Sequence, residues 1–189
     1  YARKTQKVGV STVTCGPGLT QIMTALPAAV RAKIPLVVFA GESPLSKSWY
    51  NQQIEQRQFV EATGARYIQI HTSQRFEQVI QEAFLMAIRD RTPVILGTPF
   101  DLLHEDMTYS PKNEPPLYEV FQSSVSKPSG NVNHIRYLAD MLISAERPII
   151  MAGLGASEPR TSEQIALLAE KCDALLATTL PARGLFHDD

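Results

Sequence analysis

The chain has 189 residues, 44% hydrophobic and 20% charged, with a formal net charge of -1. That balance excludes a disordered or collagen-like chain, and it gives no electrostatic reason to expect nucleic acid or an anionic membrane as a partner. No apolar run approaches the ~20 residues that cross a bilayer, so no membrane partner is expected either.

Val8–Thr14 is short, apolar and β-branched, which predicts a buried strand. Gly16-Pro17-Gly18 follows as a turn. Leu19–Lys33 then places Ile22, Met23, Leu26, Ala29 and Val30 on one helical face, with Pro27 imposing a kink or a late start. Leu36–Ala40 is a second apolar strand, closed by Gly41, and Glu42–Gln53 reads as a loop. Glu55–Thr63 predicts a short helix capped by Gly64, and Tyr67–Ile70 a third strand. Ser73 is placed to cap a long helix through Asp90, with Phe76, Val79, Ile80, Ala83, Phe84 and Ala87 facing inward. Pro93–Gly97 is a fourth strand, ending in Thr98-Pro-Phe-Asp101.

Leu102–Gly130 changes character. It carries Pro111, Pro115, Pro116 and Pro128 among Ser, Asn and Lys, and reads as a linker with one short ordered patch at Leu117–Phe121. A second α/β unit follows: a helix over Val132–Ala145, a strand over Pro148–Ala152, a turn at Gly153–Ala156, a helix over Ser162–Lys171 and a strand over Ala174–Thr179. Nearly continuous apolar strands alternating with helices predict an α/β fold, a parallel sheet with helices on both faces. The beginning of a second, Rossmann-like α/β domain comes after it. The expected boundaries are 1–103, a linker over 104–130, and 131–189.

Ligands on such sheets bind beyond the carboxyl ends of the strands. That places Cys15–Gly18, Gly41–Glu42 and Thr98–Asp101 at one rim. Neither Gly-Pro-Gly nor Gly153-Leu-Gly155 is decisive alone, and Glu158 and Pro159 interrupt the second where a dinucleotide-binding helix would open. Cys15 and Cys172 fit no metal spacing, and Cys15 is expected to be a buried, inert thiol. His71, His104, His134 and His187 do not cluster, so no metal ligands are assigned. Two unpaired thiols suit a reducing, cytoplasmic location. The start at Tyr1-Ala-Arg-Lys, without Met, reads as a piece of a longer polypeptide.

The order of motifs carries more than any one of them. Val-Thr-x-Gly-Pro-Gly, then Ile34-Pro-Leu-Val-Val-x-x-Gly41, then Thr92-Pro-Val-Ile-Leu-x-x-Pro99-x-Asp101 resembles the pyrimidine-binding domain of thiamine diphosphate-dependent enzymes, in the acetolactate synthase and benzoylformate decarboxylase branch. Ala145-x-Arg-Pro-Ile-Ile-x-x-Gly-x-Gly155, with Thr178-Thr-Leu-x-x-x-Gly184-x-Phe186, is similar to the start of that family's central domain.

The resemblance implies a 2-oxo acid decarboxylase or carboligase as the full-length parent, with thiamine diphosphate and Mg²⁺ as cofactors and a small 2-oxo acid as substrate. It also implies a homodimer or homotetramer, because two subunits build each cofactor site. The family's catalytic glutamate would lie upstream of this chain, and its Gly-Asp-Gly metal motif does not occur in it. No catalytic or metal residue is therefore assigned here, and this chain alone is expected to be inactive.

By resemblance, Gly16, Pro17, Gly18 and Gln21 are cofactor-side and Glu42 is substrate-side. Glu42 stands where acetolactate synthases have Gln, which favours a sibling with another substrate. The run Asn51–Gln58 falls in the family's substrate-side loop, or forms a solvated helix. Gly153, Gly155, Thr179 and Leu180 match positions where flavin-containing members hold FAD. Many relatives keep the fold without FAD, and bound flavin is not the expectation. The competing reading is a non-catalytic α/β module that binds a nucleotide or flavin.

Overall fold

Four apolar runs in the first half of the chain pair as one parallel sheet. In a computed structural model, which describes residues 1–5, 7–106, 129–157 and 159–186, the chain forms two compact units, within Tyr1–Ser126 and Lys127–Asp189. The first unit opens on a helical turn α1 (Ala2–Thr5), followed by β1 (Gly9–Val13), α2 (Pro17–Ile22), α3 (Ala25–Arg31), β2 (Leu36–Glu42), α4 (Gln56–Ala62), β3 (Arg66–Gln69), α5 (Phe76–Asp90) and β4 (Pro93–Pro99). The strand order is β1-β2-β4-β3, all parallel.

The register explains the layers. Val38 lies beside Ile95 and Ile95 beside Tyr67, so these point to one face, where Leu19, Leu26 and Val60 from α2, α3 and α4 bury them. Val37 beside Val94, with Leu96, points to the other face, against Val79, Ala83 and Ala87 of α5. Helices therefore cover both faces, as the apolar strands predict. β4 lies between two strands and is buried along its whole length.

β1 departs from the expected buried strand. Val10, Ser11 and Thr12 are exposed, because β1 pairs only with β2 and α5 packs over β2 and β4 instead. Pro27 splits the expected single helix in two. A continuous helix would drive its ring into the Met23 carbonyl, so α2 ends at Ile22 and α3 restarts with Pro27 as its third residue, where no N–H is needed. Ser73 does not cap α5. It begins a 3-10 turn, Ser73–Arg75, that hands over to α5 at Phe76 without a side-chain cap. Gly64 closes the α4 end at φ 84°, as expected.

The second unit contains α6 (Val132–Ser144), β5 (Ile149–Ala152), α7 (Pro159–Cys172) and β6 (Leu175–Thr178), with β5 and β6 parallel. Asn131 caps α6 by accepting from the Asn133 N–H at 2.9 Å. α7 starts three residues before the expected Ser162: Pro159 opens the helix rather than interrupting it, since the N–H that proline lacks would have no acceptor within the first turn. Most of the expected linker, with the patch at Leu117–Phe121, lies outside the described residues.

Candidate functional site at the carboxyl rim

Because the sheet is parallel, four strand ends reach one edge together. Val13, Ala40, Gly97 and Gln69 are aligned across it, and Glu42 beside Pro99 lies two residues beyond. The predicted rim segments therefore do meet.

The Gly16–Gly18 turn is built by close approach of backbone. Gly16 sits at φ 59°, a left-handed value that favours glycine, and an added Cβ would collide with the Gln52 carbonyl oxygen. At Gly18 a Cβ would stand 2.5 Å from the Thr14 hydroxyl oxygen. Gly16 is buried, its N–H donating to Gln56 Oε1 at 2.8 Å and its carbonyl accepting from the Thr20 N–H at 3.0 Å. Pro17 and Gln21 lie exposed at the start and near the end of α2. Of the cofactor-side residues assigned by resemblance, Pro17 and Gln21 thus present surface, while both Gly16 backbone groups already have protein partners.

Cys15 is buried beside this turn, its thiol donating to the Gln52 carbonyl at 3.4 Å. Burial pushes its pKa up and the Glu42 charge adds to this, against a smaller pull down from the Ser43 backbone. The thiol form is favoured, which agrees with an inert cysteine.

Glu42 is the last residue of β2, not the first of the loop. Its carboxylate turns along the sheet: Oε1 accepts from the Tyr67 hydroxyl, and Oε2 from Gln69 Nε2 at 2.6 Å. The strand between them makes room, since a Cβ at Gly97 would strike the Tyr67 hydroxyl and the Glu42 carboxyl carbon. Burial, then the Glu42 bond and charge, push the Tyr67 phenol far above its usual range, so it stays protonated as the donor. The Arg57 guanidinium lies 5.0 Å from the centre of the Tyr67 ring.

Asp101 pins the loop that crosses the rim. Its two carboxylate oxygens accept from the Leu45 N–H at 2.8 Å and the Ser46 N–H at 2.9 Å. Desolvation alone would raise its pKa, but these bonds outweigh it and hold the group at about 2. A depressed carboxylate stabilises the folded form above the unfolded value near 3.9 and loses that contribution as pH falls toward 2. As pH falls from about 4 toward 2 the protection of the Leu45 and Ser46 amides, measured against their intrinsic exchange rates, should therefore fall. Asp101→Ala should free them at neutral pH and lower the fluorescence anisotropy of Trp49, the only tryptophan and a residue of this loop. Unchanged exchange at both amides in that variant would mean that Asp101 does not hold the loop.

Sequence reasoning missed the partners. The run Asn51–Gln58, read as a substrate-side or solvated segment, contains Gln56, which is 3% exposed and bonded to two rim glycines. Tyr67 and Gln69 were legible only as alternate residues on one strand face. Among the described residues no group of three or more His, Cys, Asp or Glu side chains could hold a metal ion.

In the second unit Gly153 and Thr179 follow β5 and β6, and a Cβ on Gly153 would lie 3.8 Å from the Thr179 hydroxyl. Gly155 and Leu180 are exposed.

Two family models match the chain in order: the thiamine pyrophosphate enzyme N-terminal TPP-binding domain over residues 1–63, and the thiamine pyrophosphate enzyme central domain over residues 135–189. Among curated relatives, the acetolactate synthase large subunit of Buchnera aphidicola subsp. Acyrthosiphon pisum is 29% identical over 100% of this chain and 34% of its own length. The acetolactate synthase of Mycobacterium avium is 31% identical over 100% of the chain and 30% of its own length. The glyoxylate carboligase of Escherichia coli O157:H7 is 28% identical over 100% and 32%. The chain thus spans about a third of the length of the relatives it matches.

Proposed function

Because this chain belongs to the thiamine pyrophosphate enzyme superfamily, in its acetolactate synthase and decarboxylase branch, we propose that it forms one wall of the cofactor site in a 2-oxo acid decarboxylase or carboligase. The observation that carries the reading is the Gly16-Pro17-Gly18 turn at the carboxyl rim of a parallel sheet, inside the segment matched by the TPP-binding domain. We read the second unit as the opening of the central domain on the same grounds.

Thiamine diphosphate supplies the carbanion-stabilising chemistry by which a 2-oxo acid loses carbon dioxide. The chain's own residues then bind and orient. Pro17 and Gln21 offer an apolar ring and an amide at the exposed side of the turn, a surface that suits a heteroaromatic ring with polar edges. Gly16 and Gly18 fix the path of the turn, and Glu42 shapes the substrate side while its oxygens are held by Tyr67 and Gln69. Magnesium is assigned to no residue of this chain, nor is FAD assigned to Gly153, Gly155, Thr179 or Leu180.

The substrate is proposed to be a small 2-oxo acid, and the working form a homodimer or homotetramer. The test is direct. The full-length polypeptide containing these residues, supplied with thiamine diphosphate and Mg²⁺, should consume pyruvate or glyoxylate, and the 189-residue chain alone should not. Turnover by the chain alone would overturn the one-wall reading. A full-length protein that neither binds thiamine diphosphate nor turns over any small 2-oxo acid would sink the enzyme reading.

A further inference from the structure

Gln56 opens α4 and is almost wholly buried, yet both ends of its amide are in use. Oε1 accepts from the Gly16 N–H at 2.8 Å, and Nε2 donates to the Gly41 carbonyl at 3.0 Å. Gly16 directly precedes α2 on the proposed cofactor side, and Gly41 directly precedes Glu42 on the proposed substrate side. One side chain from a helix thus ties the Gly16 turn to the end of β2. Its neighbour Gln52 adds to the same contact, its carbonyl accepting from Cys15 and filling the space above Gly16.

The chemistry selects an amide. The position needs one acceptor and one donor at the end of a three-carbon stem. An ionised carboxylate accepts from Gly16 but sets a negative oxygen against the Gly41 carbonyl. A methionine fills the volume and leaves both backbone groups buried without partners.

We infer that Gln56 is a positioning residue. It holds the Gly16–Gly18 turn in register with the end of β2, so that the two sides of the proposed site keep a fixed spacing. Its effect on cofactor binding rests on the thiamine diphosphate reading above, whereas its effect on Gly16 does not.

The test uses the full-length polypeptide with Gln56→Met and Gln56→Glu, well below the unfolding temperature of each. Thiamine diphosphate is titrated in steps from about pH 5 to about pH 9.5, a range that brackets the titration of a glutamate raised by burial. Gln56→Met should raise the half-saturating cofactor concentration about tenfold across the range, the size expected for losing the Gly16 hydrogen bond on the cofactor side, with kcat at saturation little changed. Gln56→Glu should match it at the alkaline end and return toward wild type at the acid end, because the protonated carboxyl can again donate to Gly41. Amide exchange at Gly16 should speed up in the Met variant while β4 amides keep their protection. A cofactor constant equal to wild type in both folded variants would make the clamp merely structural and overturn the proposal. If the wild-type protein takes up no thiamine diphosphate, the functional reading fails by itself, and Gly16 exchange decides the clamp. Unchanged exchange there would remove it.

Discussion

Gly16→Ala should lower the unfolding temperature of the first unit by on the order of 10 °C. At φ 59° and ψ -97° Gly16 lies outside the left-handed helical basin, in a region reached essentially by glycine alone, which costs an L-residue on the order of 1–3 kcal/mol. The new methyl would also strike the Gln52 carbonyl oxygen, which is backbone and cannot rotate away. Relieving that collision moves Gln52 off the Cys15 thiol and strains the Gly16–Gln56 bond, and a buried polar group left without its partner costs about 1–3 kcal/mol. The sum, about 2–6 kcal/mol, converts at roughly 2–4 °C per kcal/mol for a chain of this size. Gly153→Ala is the control. Gly153 has φ -101°, and its nearest neighbour to an added Cβ is 3.8 Å away, so the same substitution there should be close to neutral. Comparable melting shifts in the two variants would mean that the Gly16 turn is not built as described.

The second large effect is expected at Gly97. It lies in the middle of β4, a position at which glycine normally weakens a strand, and its φ is not left-handed. Its reason is lateral: the absent side chain is where the Tyr67 hydroxyl meets Glu42. Gly97→Ala should displace the tyrosine and cost about 2.5–6 kcal/mol, combining overpacking at about 1–3 kcal/mol with loss of a hydrogen bond to a carboxylate at about 1.5–3 kcal/mol. Tyr67→Phe alone loses only the bond. In the double variant the phenylalanine no longer projects an oxygen into the methyl, so the two costs should sum to more than the double variant shows. Thermal unfolding of the four proteins measures this coupling. Strict additivity would place the Tyr67 hydroxyl elsewhere.

Both predictions concern residues whose type was legible in the sequence and whose partners were not. Gly-Pro-Gly after a β-branched run announces a tight turn. That the space above it is taken by Gln52, 36 residues on, follows only once β2 and the succeeding loop have folded back across β1. Glu42 was placed as a loop carboxylate on the substrate side. The structure extends β2 by two residues beyond Ala40, and that extension aims Glu42 at the face carrying Tyr67 and Gln69. A local pattern cannot supply this, because β4 enters between β2 and β3 from later in the chain.

What the sequence determined by itself was most of the elements, the parallel layering and the superfamily. Those rest on local apolar runs, on helix periodicity and on the order of short motifs, which need no partner to be read. It also located the rim, since parallel strands must end together. Tertiary structure alone decided what occupies that rim. The strand order β1-β2-β4-β3 leaves β1 exposed, brings Glu42 to Tyr67 across a glycine, and lets Gln56 join the Gly16 turn to the end of β2. The reason is physical. A buried polar side chain must find donors and acceptors wherever the fold places them, and those lay 15 to 40 residues away along the chain.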